Sequence, residues 1–175
     1  MLIGVLSDTH GDFRRIQYCV PTLREADMLI HAGDFFEDAQ HIGDLLRLRS
    51  IGVTGNCDYM VRGPSEEMLT LDNKRIYVTH GHLYRVKTEL SSLIVRSKSL
   101  RAHVTVFGHT HTPTIFRKEG ILFLNPGSLH SPASGATPSF AMLEIGRTGV
   151  KARIISLTSQ VGCKGFVCYW NDRET

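Results

Sequence analysis

The chain has 175 residues, enough for one domain with a core of its own. Its formal net charge of +3 is small and no long basic run occurs, so charge does not point to nucleic acid. No segment has the length of a membrane span, and the start Met-Leu-Ile-Gly-Val-Leu-Ser-Asp lacks the basic region of a signal peptide. Cys19, Cys57, Cys163 and Cys168 are spread out without a CxxC pair, which reads as a reduced, cytoplasmic protein.

Leu2 to Leu6 is an apolar run that reads as a buried strand, followed by the polar loop Ser7-Asp8-Thr9-His10-Gly11-Asp12. Asp12 can cap a helix starting at Phe13, with Phe13, Ile16 and Val20 on one face and Pro21 kinking or ending it. Met28 to Ala32 reads as a second strand, ending in Gly33-Asp34. A helix is predicted from about Glu37 to Arg49, with Ile42, Leu45, Leu46 and Leu48 on its apolar side. Ile51 to Val53 is a third short strand, ending in Gly55-Asn56-Cys57-Asp58. This alternation implies parallel pairing with right-handed crossovers.

Glu67 to Leu71 and Lys74 to Thr79 read as strands joined by a tight turn at Asp72-Asn73, and the second ends in His80-Gly81-His82. A third helix is expected from Val86 to Leu100, with Leu90, Leu93, Ile94 and Leu100 inward. The β-branched run from Val104 ends in Gly108-His109-Thr110-His111. Two hairpins complete the pattern, Thr114 to Arg117 with Ile121 to Leu124, and Phe140 to Ile145 with Val150 to Leu157. Many strands with three helices suggest two packed sheets with helices outside. The domain is taken as 1–158. The tail 159–175 has no assigned role; it reads as a terminal strand or loose end, with an oligomer contact as the sharper reading.

Five predicted strand ends carry metal-ligand chemistry: Asp8 and His10; Asp34; Asn56; His80 and His82; His109 and His111. In α/β proteins ligands bind outside the carboxyl ends of the strands, so the five can meet on one edge. Carboxylate, amide and imidazole donors together suit divalent Mn, Fe or Zn. Taken singly, each motif also fits a turn or cap. Seven ligands drawn from these eight residues exceed one tetrahedral site and suit two ions, which in phosphoryl transfer sit about 3.5–4 Å apart.

The ordered set D-x-H, G-D, G-N, H-G-H, G-H-x-H resembles that of the calcineurin-like metallophosphoesterase superfamily. The Gly55–Asp58 and Asn125-Pro126-Gly127-Ser128 motifs look like its compact bacterial and archaeal phosphodiesterase branch, which also holds the retromer scaffold subunit of eukaryotes. The resemblance runs from Met1 to about Leu157. It implies an α/β fold, a four-layer αββα sandwich of two mixed β-sheets flanked by helices. It also implies a phosphoesterase that hydrolyses phosphodiesters by attack of a metal-bound hydroxide. Asp8, His10 and His111 would bind one metal, Asn56, His80 and His109 the other, and Asp34 would bridge them. The ions implied are Mn first, with Fe, Zn, Ni or Co as alternatives, and the substrate is a phosphodiester small molecule or nucleotide-like ester.

The chain departs from the wider superfamily where many members follow the Gly-Asn pair with a histidine. Cys57 stands there, and a thiol is a poor general acid; His82 is the nearest substitute in sequence. Where compact members carry an arginine after the Asn125–Ser128 motif, this chain reads Leu129-His130-Ser131-Pro132-Ala133. His31 reads as a residue that supports ligands rather than one of them, and His41 and His103 as surface positions. The runner-up function is a non-catalytic metal-binding scaffold for protein partners on the same fold; a retained His10 favours catalysis.

Overall fold

β1 (Leu2–Leu6) is the strand from which the first sheet grows. Ile3 and Val5 turn one way into the cluster between two sheets, while Leu2 and Leu6 turn the other way under helices. A strand covered on both faces needs this unbroken apolar run. The computed structural model describes residues 1–147 and 149–157 in full and the backbone of 163–166.

After β1 the chain forms α1 (Phe13–Leu23), β2 (Met28–His31), α2 (Glu37–Leu46) and β3 (Arg49–Gly52). β1, β2 and β3 pair in parallel. Next come β4 (Glu66–Leu71), β5 (Lys74–Thr79), a short 3-10 turn (His82–Tyr84), α3 (Ser91–Ser99) and β6 (Val104–Val106). β7 (Thr114–Lys118), β8 (Ile121–Asn125), β9 (Ser139–Gly146), β10 (Gly149–Leu157) and β11 (Cys163–Phe166) complete the order. The first sheet runs β11-β10-β9-β1-β2-β3 and the second β4-β5-β6-β8-β7. Both are mixed: β9 is antiparallel to β1, and β5-β6-β8 are parallel between antiparallel neighbours.

Three apolar layers hold the stack together. Ile3, Val5, Ile30, Val78, Val106 and Leu143 lie between the sheets. Ile16, Cys19 and Leu23 of α1 and Ile42 of α2 pack on the outside of the first sheet, and Leu93 of α3 packs with Tyr77 and Phe123 on the outside of the second. Each fully buried Leu or Ile contributes about 1.5–3 kcal/mol. The architecture is the expected αββα sandwich. Among the described residues no helix is long and apolar enough to cross a membrane.

The local differences have physical causes. Asp12 caps α1 as expected, accepting from the Arg15 N–H at 3.1 Å. Phe13 nevertheless stays 45% exposed, because Ile16, Cys19 and Leu23 take the inner face. Pro21 lies within the last turn of α1, where the chain continues only to Leu23. α2 stops at Leu46, not Arg49, because Arg47 adopts a left-handed φ of 57° and β3 begins at Arg49; Leu45 points to water. The predicted helix from Val86 to Leu100 is shortened to Ser91–Ser99. Val86 is buried against the Gly81 turn, and Arg85 at φ 53° ends the 3-10 turn before it, so the chain folds back before the helix can start. Asp72-Asn73 and Glu119-Gly120 each have two positive φ values, the conformation that two-residue hairpins need. The reading of the tail 159–175 lies outside the described residues except for β11, which pairs with β10 at the sheet edge.

Candidate metal centre

The carboxyl ends of β1, β2, β3, β5 and β6 face one edge of the sandwich, and backbone hydrogen bonds tie their loops together. The Asp8 N–H donates to Gly33 O at 2.9 Å and the Gly108 N–H to His80 O at 3.1 Å. The His109 N–H reaches across from the second sheet to the Asp8 carboxylate at 3.1 Å. Gly108 permits this closeness, since a Cβ there would stand 2.0 Å from Ser7 Oγ.

Four predicted ligands converge. One donor atom from each of Asp8, His10, Asp34 and His111 lies within 4.8 Å of the others. Asp8 and Asp34 are 0% and 2% exposed. His111 Nε2 is 3.0 Å from Asp8 Oδ1, and His10 Nε2 is 3.9 Å from Asp34 Oδ2. His80 Nε2 stands between the carboxylates, 3.2 Å from Asp8 and 3.6 Å from Asp34. His109 packs its ring edge-on against His80 at 4.9 Å. Asn56 sits at the rim, its amide 3.6 Å from Cys57 Sγ, while the Cys57 N–H donates to Asp34 Oδ1 at 2.8 Å.

His82 stands beside His80, with their Nδ1 atoms 3.0 Å apart. In the tautomer that puts the His80 proton on Nδ1, His82 accepts it and the Nε2 lone pair faces the carboxylates, as a metal ligand requires. His111 is set the same way by a short hydrogen bond from Nδ1 to Ser131 O.

Asp8, His10, Asp34, His109 and His111 all have φ between 48° and 67°. Asp and His visit this region more readily than most residues, yet each such position costs of order 1–3 kcal/mol and persists only where its surroundings enforce it. Burial would raise the Asp8 carboxyl, but hydrogen bonds from His111 and His80, in the forms that carry a proton on Nε2, and from Ser7 hold it well below the usual carboxylate range. Burial pushes His109 down to about 4, helped by His80 and Lys87. Burial also lowers His10, outweighing the pull of Asp34 and Asp8, and lowers His82, with His80 adding to it. His111 alone among these is raised, mainly by its hydrogen bond to Asp8. Neutral imidazoles beside ionised carboxylates are the form that binds a divalent cation.

Several residues outside the proposed ligand set support it. Asp58 accepts from the N–H groups of Phe35, Phe36 and Gly55 at 2.9, 2.8 and 2.7 Å, joining the loops after β2 and β3. Ser128 donates to Asp8 O, and Asn125 to Gly108 O, both at 2.8 Å. His31 does support the ligand loops: its Nδ1 accepts from Gly33 N–H at 3.3 Å and its Nε2 meets Thr9 Oγ1 at 2.8 Å. The Thr9 hydroxyl donates to Asp38 at 2.6 Å. Burial lowers the His31 pKa and keeps it neutral. Asp58 stands in the Gly55–Asp58 motif, but nothing in the sequence pointed to its three N–H donors; Asp38 left no signal.

The chain is similar to the probable metallophosphoesterase YsnB of Bacillus subtilis (strain 168), 34% identical over 146 residues, 83% of this chain and 85% of that protein. It is 33% identical over 103 residues to phosphodiesterase YfcE of Escherichia coli (strain K12), covering 54% of this chain and 52% of that one. Among solved structures it resembles a Vps29 single mutant from Entamoeba histolytica, with TM-score 0.78, 25% identity and coverage of 96% and 99% of the two chains. Residues 1–148 match the calcineurin-like phosphoesterase superfamily domain, and the chain belongs to that family.

Proposed function

We propose that this protein is a two-metal phosphodiesterase in which Asp8, His10 and His111 would hold one ion and Asn56, His80 and His109 the other, with Asp34 serving both. The observation that carries this reading is the convergence of four donor groups, two of them buried carboxylates, within 4.8 Å. Their oxygen and nitrogen chemistry fits a divalent cation, Mn²⁺ first, with Fe, Zn, Ni or Co as alternatives. Bound there, such ions supply Lewis acidity and an activated water for attack on phosphorus.

The chain's own residues orient and tune the site. His82 sets His80 through its Nδ1, and the Cys57 N–H fixes Asp34. Asn56, a neutral donor, leaves the centre more positive for an anionic ester. In the metal-free chain burial, and then the Asp34 carboxylate, push the Cys57 thiol up to about 11, which disfavours the thiolate a nucleophile needs. So weak an acid gives little help to a departing alkoxide, and esters with good leaving groups should turn over fastest. Likeness to a named phosphodiesterase supports diesters over monoesters. A cytoplasmic setting fits the spread of the cysteines along the sequence, which has no CxxC pair.

The test is hydrolysis of bis-p-nitrophenyl phosphate by metal-stripped protein resupplied with Mn²⁺, beside Asp34→Asn. Turnover that needs the metal and collapses in the variant is the expected result. Metal binding without turnover on this diester or the matching monoester would sink the catalytic reading. A protein-interaction scaffold on the same fold would then take its place.

A further inference from the structure

Phe35 is not explained by metal ligation. It follows Asp34 with φ at 72°, a region that bulky residues avoid. Burial does not account for it, because Phe35 is 42% exposed. Its ring meets the His10 imidazole edge-on at 5.3 Å, and it lies over Gly11, where a Cβ would be 3.4 Å from Cε1.

A second flat side chain stands at the same place. The His130 ring is 5.5 Å from that of His10, and its side chain is 50% exposed. The His130 Nδ1 is 3.5 Å from Asp12 Oδ2. Arg15 donates to the carbonyls of Leu129 and His130 at 2.8 and 2.5 Å, which fastens the His130 backbone to α1. Two anchored, water-facing rings thus border the donor cluster at His10.

We propose that Phe35 and His130 form an aromatic subsite beside the metal centre. It receives a planar ring carried on the phosphoester, either an aryl group or a nucleobase. Flat rings gain from edge-to-face and offset contacts that alkyl groups cannot make. The inference rests on the phosphoesterase reading, which supplies the phosphoryl anchor.

Calorimetric binding to the full chain resupplied with Mn²⁺ tests it with two ligand pairs. Phenylphosphonate against methylphosphonate probes an aryl ring; adenosine 5′-monophosphate against ribose 5-phosphate probes a nucleobase. The native protein should favour the aromatic member of at least one pair by about tenfold, the scale of one to two ring contacts. Phe35→Ala and His130→Ala should each reduce that ratio, Phe35→Tyr should keep it, and Leu45→Ala, on the exposed side of α2, should leave it unchanged. Ratios near one for both pairs in the native protein overturn the proposal, as does a ratio that survives both alanine variants. Mn²⁺-dependent hydrolysis of bis-p-nitrophenyl phosphate with ratios near one removes this inference alone. Selective binding of the aromatic ligands without hydrolysis removes the phosphoesterase reading and leaves the subsite standing.

Discussion

Gly55 and Asp34 are packed so closely that no side chain fits between them: a Cβ on Gly55 would lie 2.1 Å from Oδ1 of Asp34 and 2.4 Å from its backbone nitrogen. The residue at the end of one strand loop therefore sets where the carboxylate of its neighbour can sit. A Gly55→Ala variant must move Asp34, since backbone cannot give way as a flexible side chain can. Overpacking of this kind costs about 1–3 kcal/mol. Urea unfolding should show that loss, and Mn²⁺-dependent turnover should fall much further than stability does. Native behaviour in both measurements would mean that the contact does not seat Asp34.

Asp58 gives a second handle on the same pair of loops. One carboxylate serves three N–H donors and is 7% exposed. In Asp58→Asn an amide N–H must face at least one of those donors. Hydrogen bonds to charged groups contribute about 1.5–3 kcal/mol each, so a loss of at least one such bond is expected in chemical denaturation. Metal affinity, read by titration calorimetry, should weaken as well, because Phe35 and Gly55 flank Asp34.

The buried chain from His31 through Thr9 to Asp38 can be broken without touching a proposed ligand. Thr9→Val removes the hydroxyl that meets His31 Nε2 and donates to Asp38, leaving polar atoms buried without their partner. The expected cost is about 1–3 kcal/mol, and Thr9→Ser should recover most of it. Equal urea midpoints for the valine variant and the native protein would show that the relay does not support the loop.

Glu66 makes stability depend on pH through partners that are not proposed metal ligands. Burial opposes its ionisation, but hydrogen bonds from Tyr84, Arg96 and Tyr77 outweigh it and lower the pKa. A carboxyl depressed in the folded state stabilises above its unfolded pKa, and the gain is lost as pH falls through the folded value. The difference in melting temperature between the native protein and Glu66→Gln should be largest above about pH 5 and shrink toward pH 3. A difference that stays constant over that range would contradict the ion-paired role.

Much of this protein could be read from the chain itself. Apolar runs ending in Asp, Asn or His at five strand ends announced the alternating strands and offered candidate donors, four of which converge, because strand periodicity and ligand chemistry are local properties. The hairpin at Asp72-Asn73 was legible for the same reason, since those residues tolerate positive φ. The start of the long predicted helix was not legible, because burial of Val86 against the Gly81 turn depends on a neighbour the pattern does not name. Asp38 was equally silent, and Asp58 and Ser128 stood in the Gly55–Asp58 and Asn125–Ser128 motifs without their roles being legible, since each acts through N–H, hydroxyl or carbonyl groups of distant loops. The same holds for Phe35 and His130: their common neighbour is the His10 ring, with residues 10 and 35 joined by the pairing of β1 with β2 and residue 130 brought in by the connection from β8 to β9. Sequence determined which groups stand at the strand ends; the tertiary structure decided which of them meet, because distances between loops are set by sheet packing and not by spacing along the chain.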